Sequence, residues 1–540
     1  MVQSRTSKMA SGAIILILAN FIVKLVGVVY KIPLTNILGD EGMGYLSSAY
    51  EIYQLILAIC ASGGALAMSR MVAESYALGH FAEVRKLFRL TLLTMFVVGL
   101  LGTLVMFFGG RAFAIQIDNE PAVYSIMALS PAVLILSTMS VFRGYFQGRQ
   151  QMLPTAVSQV LESLVKLGAG IGLALWVRSL GKGQEFVAAA GILGTTLSTL
   201  AGFLVMLALF YTPRFYKTTK SLAAGGGPVR SSRELFFSFW KIAIPLAIGA
   251  MVVNLTGVLD LFLIYDRLAY LGLDQSAVNA AYGGYKGYAQ TLFNLPPSII
   301  ASLNMSIIPA LSAARAKQDI KRLMHLSSRS VKLVAVLAAP CAIGLTVLAE
   351  PIQKLLFPAR LSEIAVTTPL LQILGIASFW VCLASLTTAM LQSLGQMRLP
   401  IFSLAVGSFV KLAANYILVG TKGIGIYGAP IGTLLCYITM FSLNMYFIKR
   451  RSQLSINFFS IMAKPALASI FMGAAGFFGF RLLSSWLPER LATVLILFLS
   501  AAIYGVFLLL IRGLHREDVM LFPGGRKMAA ILTRIKLLRD

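Results

Sequence analysis

Apolar runs of about 20 to 30 residues recur along the chain from residue 11 to residue 512, separated by short polar connections. A helix rises ~1.5 Å per residue, so roughly 20 such residues cross a hydrocarbon layer of about 30 Å. The runs fall near 11–38, 44–72, 88–109, 121–147, 154–178, 186–211, 236–264, 279–312, 329–350, 364–393, 399–420, 425–448, 461–485 and 490–512. The pattern predicts an all-α polytopic membrane protein with 14 transmembrane helices. Composition agrees: 58% of the residues are hydrophobic and 12% charged, which excludes a soluble globular domain.

The pattern repeats internally. Shifting the sequence by 245 positions aligns 147–173 with 392–418, where Gln147 and Gln392, Gln151 and Gln396, Met152 and Met397, and Lys166 and Lys411 coincide in one ungapped register. Shared apolar composition does not generate matched Gln and Lys positions. The repeat unit is therefore six helices, and an even number starts both repeats from the same side, giving two parallel six-helix repeats plus two C-terminal helices. The predicted organisation is a first repeat over 1–215, a linker over 216–235 with the flexible run Ala223-Ala224-Gly225-Gly226-Gly227-Pro228, and a second repeat over 236–450. Two additional helices follow over 451–512, then a basic tail over 513–540 that reads as a helix on the inner membrane surface.

Charge adds orientation. The formal net charge is +26, and most of the 46 Lys and Arg residues fall in alternate loops: Arg85-Lys86-Arg89, Arg214–Arg233, Arg315–Lys332 and Lys449-Arg450-Arg451. The positive-inside rule makes that side cytoplasmic, with both termini inside. A loop-by-loop bias of this kind meets anionic headgroups and speaks against nucleic acid. The first run is too long for a signal peptide and carries Lys24 in its middle. Cys60, Cys341, Cys382 and Cys436 lie within runs at no metal-ligand spacing and read as packing residues. No phosphate loop, GxSxG or paired catalytic His is present, so the expectation is binding and transport without catalysis and without a cofactor.

Five lysines interrupt the apolar runs: Lys24, Lys31, Lys166, Lys286 and Lys411. An intramembrane cation costs roughly 2.5–3.5 kcal/mol on insertion scales and faces a partner or a wet cavity. Counted from the run ends, Lys24, Lys166 and Lys411 lie roughly 18–20 Å deep and form a midplane layer. Lys31 and Lys286, roughly 10 Å from the outer surface, form a second layer with Glu51 and either snorkel outward or line a cavity. Glu51 is placed to pair with Lys31. Glu162 stands four residues before Lys166, so this pair is either a buried structural ion pair or separate, with Glu162 serving a coupling ion, Na+ or H+. Asp260 is the third intramembrane carboxylate. Prolines and glycines at Leu295-Pro296-Pro297 and Pro309 mark the eighth run as broken.

Several segments carry a resemblance: Lys24-Leu25-Val26-Gly27 with Tyr30-Lys31-Ile32-Pro33, Leu38-Gly39-Asp40-Glu41-Gly42, Ser69-Arg70-Met71-Val72-Ala73-Glu74, and Gly144-Tyr145-Phe146-Gln147-Gly148. Together with the span pattern they make the chain resemble the MOP flippase superfamily, in its MurJ/YtgP/SpoVB polysaccharide-export branch. The resemblance implies a flippase that moves undecaprenyl-pyrophosphate-linked saccharides, such as lipid II, across the bacterial inner membrane by alternating access. It further implies cationic site residues in the first span, where Lys24 and Lys31 stand, and a groove for the lipid tail formed by the two extra spans. The family's charge pair in the eighth span is replaced by neutral Thr291, Asn294 and Leu295, leaving Lys286 further outward. The alternative within the superfamily is a cation-coupled multidrug antiporter of the MATE type, whose substrates call for acidic rather than basic lining.

Overall fold

The computed structural model describes residues 2–212, 230–452, 457–511 and 513, which are almost entirely helical and contain no strand. Most of the predicted linker (213–229) and all of the predicted tail except Gly513 lie outside the described residues. Among the described residues, thirteen helices are long and apolar enough to cross a membrane. The chain is a multi-pass, all-α membrane protein. The first of the thirteen, Leu18–Ala77, has 60 residues, about 90 Å of helix, and so contains the first two predicted crossings. It divides at Gly39, whose φ of 72° and ψ of −169° are open essentially to glycine alone. The remaining twelve helices match the other twelve apolar runs.

Contacts divide the chain into two compact units, Met1–Gly287 and Tyr288–Asp540. The first holds α1 (Val2–Cys60), α2 (Ser62–Ala77), α3 (Phe81–Gln116), α4 (Val123–Gly148), α5 (Leu153–Ser179), α6 (Gln184–Tyr211), α7 (Ser232–Tyr270) and α8 (Gln275–Gly283). Its core near the basic loops is aromatic. Phe88 stacks on Phe210 at 5.0 Å and meets Phe142 edge-on at 5.2 Å, joining α3, α4 and α6. Such offset and edge-to-face pairs add to the burial of large rings.

Both ends of α7 are tied to this bundle. At its start, buried Glu83 accepts hydrogen bonds from the Arg230 backbone N (3.0 Å), Nε (3.1 Å) and Nη2 (2.8 Å), and from Ser75 Oγ (2.7 Å). The carboxylate raises the Arg230 guanidinium above its already high pKa. Ser231 and Glu234 then form a capping box that starts the helix. Near its end, the Tyr265 hydroxyl donates to Asn279 Oδ1 (2.8 Å), accepts from Asn119 Nδ2 (3.0 Å) and lies 3.1 Å from Ser48 Oγ.

The eighth predicted run is not one continuous helix. It begins with α8, passes through a π-helical turn at Gly284–Ala289, and continues as α9 (Gln290–Phe293) and α10 (Leu295–Ala316). Pro296 and Pro297 supply no backbone N–H, which is why α10 starts anew there.

The second unit continues with α11 (Ile320–Val347), α12 (Ala349–Leu356), α13 (Leu361–Ser393), α14 (Arg398–Val419), α15 (Gly428–Ser452), α16 (Phe458–Ser484) and α17 (Glu489–Leu510). Its core gathers Ile300, Leu311, Val334, Leu383 and Met390, all nearly inaccessible. The two additional helices dock through Ala468 and Met472 of α16, and through the Tyr504 hydroxyl of α17, which donates to the Val336 carbonyl at 2.8 Å. Between α11, α13 and α16 they leave an apolar crevice of ≈ 160 Å³, bordered by Ile343, Phe379, Trp380 and Ile470.

Candidate functional site

The first unit brings Lys286 and Lys31 together at Glu51, with Lys166 close to Lys31. Lys286, on the π turn, is buried and its Nζ stands 2.7 Å from Glu51 Oε1. Lys31 Nζ donates to the Lys286 carbonyl at 3.0 Å. Lys31 also lies within electrostatic reach of Glu51, Lys286 and Lys166. Aromatic faces complete the setting. Lys286 lies 5.5 Å and 5.7 Å from the Tyr282 and Tyr285 ring centroids, and Lys166 lies 5.1 Å and 5.4 Å from those of Tyr30 and Tyr50. Ring quadrupoles stabilise these ammonium groups without neutralising them. Lys286 and Lys31 thus meet beside the Glu51 carboxylate, and charge acts strongly where water is scarce.

Local sequence explains the arrangement. Glu51 and Tyr50 are adjacent on the second limb of α1, and Tyr30 and Lys31 are adjacent on the first. The Gly39 bend folds the two limbs back, so both limbs present their pairs to the same place. Gly257 of α7 lies directly against the Glu51 carboxylate, and a Cβ there would collide with it. The Tyr30 hydroxyl is fixed on the Gly191 carbonyl at 3.1 Å.

A second charged pair lies on α4 and α5. Glu162 forms an ion pair with Arg143, and Arg143 Nη2 also donates to Ser158 Oγ at 3.2 Å. Gly202 of α6 gives room to the Glu162 carboxylate. Arg143 borders a cavity of ≈ 310 Å³ whose other polar residues are Gln54, Ser62, Ser140 and Asn254.

Three expectations change. Glu51 pairs with Lys286, not Lys31: Lys286 reaches the second limb of α1 from the π turn, while Lys31 spends a donor on the turn's carbonyl. Glu162 pairs with Arg143, not with Lys166 four residues along its own helix. Lys166 lies over the Tyr30 and Tyr50 rings and within electrostatic reach of both Lys31 and Glu162. Burial of Lys286 leaves no outward snorkelling for that residue. Lys24 is exposed on α1, two turns before Lys31. Asp260 is fully buried on α7. Lys411 is half-buried on α14 of the second unit. Sequence reasoning misses Arg143 because it stands close to a basic-side helix end, where arginines are ordinarily loop charges. Its position inside the apolar run 121–147 is the signal that could have found it.

Cys60, Cys382 and Cys436 are buried thiols and Cys341 is half-buried. Among the described residues, no group of three or more His, Cys, Asp or Glu is gathered to hold a metal.

Comparison with known proteins bears on family and fold. The family model described as polysaccharide biosynthesis protein matches residues 9–315. Stage V sporulation protein B of Bacillus subtilis (strain 168) is 24% identical over 518 residues, covering 95% of this chain and 97% of that protein. Lipid II flippase MurJ of the same organism is 24% identical over 482 residues, covering 87% of each. Among solved structures, lipid II flippase MurJ in an inward closed conformation superimposes with a TM-score of 0.69 at 14% identity, covering 91% of this chain and 97% of that one. An inward-facing multidrug resistance MATE family transporter of the MOP superfamily gives a TM-score of 0.63 at 15% identity, covering 82% and 99%. At these identities the structural matches establish a shared fold.

Proposed function

The chain belongs to the polysaccharide biosynthesis protein family and has the fold of MOP-superfamily transporters, and from that premise we propose that it is a flippase for a polyprenyl-pyrophosphate-linked saccharide. Lipid II or a related cell-wall precursor fits the chemistry. The membrane is the bacterial inner membrane, with both termini cytoplasmic. The observation that carries the reading is the meeting of Lys31 and Lys286 at Glu51, with Lys166 of α5 close by. A diphosphate brings the negative charge that lysines receive, and bound cations lower the cost of taking it through the bilayer. Lys24 and Lys411 extend the basic lining in this proposal, and the two six-helix repeats move in alternating access. The prenyl tail remains in lipid along the apolar crevice beside α16.

The relatives favour this class: one is itself described as a lipid II flippase. A cation-exporting antiporter fits less well. Its acidic lining would have to come from Glu51, Glu162 and Asp260, and the first two are already engaged by Lys286 and Arg143.

The test is complementation of a lipid II flippase depletion by wild type, by Lys31→Ala and by Lys166→Ala, with membrane levels measured for each. Wild type is expected to rescue growth and the variants to fail at equal abundance. Full rescue by both variants would remove the cationic site from the mechanism. Absence of rescue by wild type, with the protein present in the membrane, would redirect the assignment to another polyprenyl-linked saccharide.

A further inference from the structure

The π turn at Gly284–Ala289 stands at the centre of the lysine cluster. A π turn inserts a residue into the helical repeat and displaces backbone carbonyls from their ordinary i→i+4 partners, and such turns concentrate at functional sites. Here the turn is held from outside its own helix. The Lys286 carbonyl accepts from Lys31 Nζ (3.0 Å), and the Lys286 side chain reaches Glu51 (2.7 Å). The two lysines that would receive an anion are thus the two that secure the turn. Glu51 cannot be an incidental surface partner: its side chain is pressed between Lys286 and Gly257.

We propose that Glu51 is a built-in counter-anion that occupies the cation site in the empty protein, and that a diphosphate displaces it and releases the π turn. The proposal rests on the reading that these lysines receive a diphosphate. A carboxylate brings one negative charge to Lys286, whereas a diphosphate brings at least two and several acceptor oxygens, enough to engage Lys31 and Lys286 together. Once Lys31 and Lys286 turn to the ligand, the turn loses both of the contacts that hold it from outside its own helix. Ligand binding at the lysines is thereby coupled to a change of backbone geometry through differential contacts in the two states.

The experiment uses the purified full-length protein in nanodiscs with farnesyl diphosphate as probe and farnesol as the uncharged control. Glu51→Gln preserves a hydrogen-bond acceptor for Lys286 and removes the competing charge. It is expected to bind farnesyl diphosphate about tenfold more tightly than wild type, with farnesol binding unchanged. Hydrogen exchange over residues 284–291 is expected to rise in wild type on adding the diphosphate, and to be raised already in Glu51→Gln without it. Gly257→Ala, which pushes the Glu51 carboxylate out of its place from the α7 side, is the second variant and is expected to act in the same direction. If wild type binds the diphosphate while neither variant tightens binding and exchange at the turn is unmoved, the counter-anion role is wrong and the cationic site stands. If wild type binds diphosphate no better than farnesol, the anion-site reading fails and this proposal fails with it.

Discussion

At the residue scale, the value of the Lys286–Glu51 pair depends on keeping both members. Removing one partner of a buried pair strands a charge and costs about 3–5 kcal/mol, whereas replacing both by neutral groups of similar size is far cheaper. Lys286→Met is therefore expected to lower the melting temperature of the detergent-solubilised protein well below wild type. The double variant Lys286→Met with Glu51→Gln is expected to recover most of the loss. Equal destabilisation by the single and the double variant would show that the pair is not coupled. The sequence revealed which charged residues lie within the bilayer but not their partners. Glu162 illustrates the difficulty: its nearest cation in sequence is Lys166, one turn along α5, yet the structure gives it Arg143 from α4. Pairing within one helix can be read from spacing, while pairing across helices depends on rotation and offset that spacing does not encode.

At the element scale, hydrophobic length fixed the helices well and their interruptions poorly. Runs at 88–109, 154–178 and 186–211 fall inside α3, α5 and α6, because twenty apolar residues in lipid have little choice but to satisfy their backbone in a helix. The π turn was invisible, since one extra residue in a Gly- and Tyr-rich segment changes no apolar periodicity. The bend at Gly39 was marked by the gap between the first two runs, and its backbone explains why glycine stands there. A side chain at φ 72°, ψ −169° is strained by about 1–3 kcal/mol. Gly39→Ala is expected to destabilise the protein by that amount in thermal melts. Because the two limbs of α1 bring Lys31 and Glu51 together, it is also expected to weaken farnesyl diphosphate binding. A variant with wild-type melting and binding would mean that the bend is not held by glycine.

At the scale of the whole molecule, the charge of the loops and the order of the helices make an independent statement about orientation. Arg85, Lys86 and Arg89 follow the α2–α3 turn, Lys317 and Lys321 flank the α10–α11 turn, and Lys449, Arg450 and Arg451 close α15. Six crossings separate the first of these places from the second and four separate the second from the third, whatever Leu18–Ala77 does; the amino terminus joins the same side only if that segment crosses twice. If it crossed only once, the chain before Gly39 would lie on the opposite side from the one expected, and its basic residues Arg5 and Lys8 would contradict the bias of every other basic loop. The positive-inside rule thus bears on the double crossing as well as on the orientation. Alkaline phosphatase fused after Gly181 or Gly272 is expected to be active, reporting the periplasmic side. Fusions after Gly79 or Lys317 are expected to be inactive there, while a fluorescent protein inserted at the same places is expected to glow in the cytoplasm. A further fusion at Asp40 is the decisive one. Activity at that site means the chain has emerged and returned within the 60-residue helix, and inactivity there, with the other fusions as expected, would overturn the double crossing.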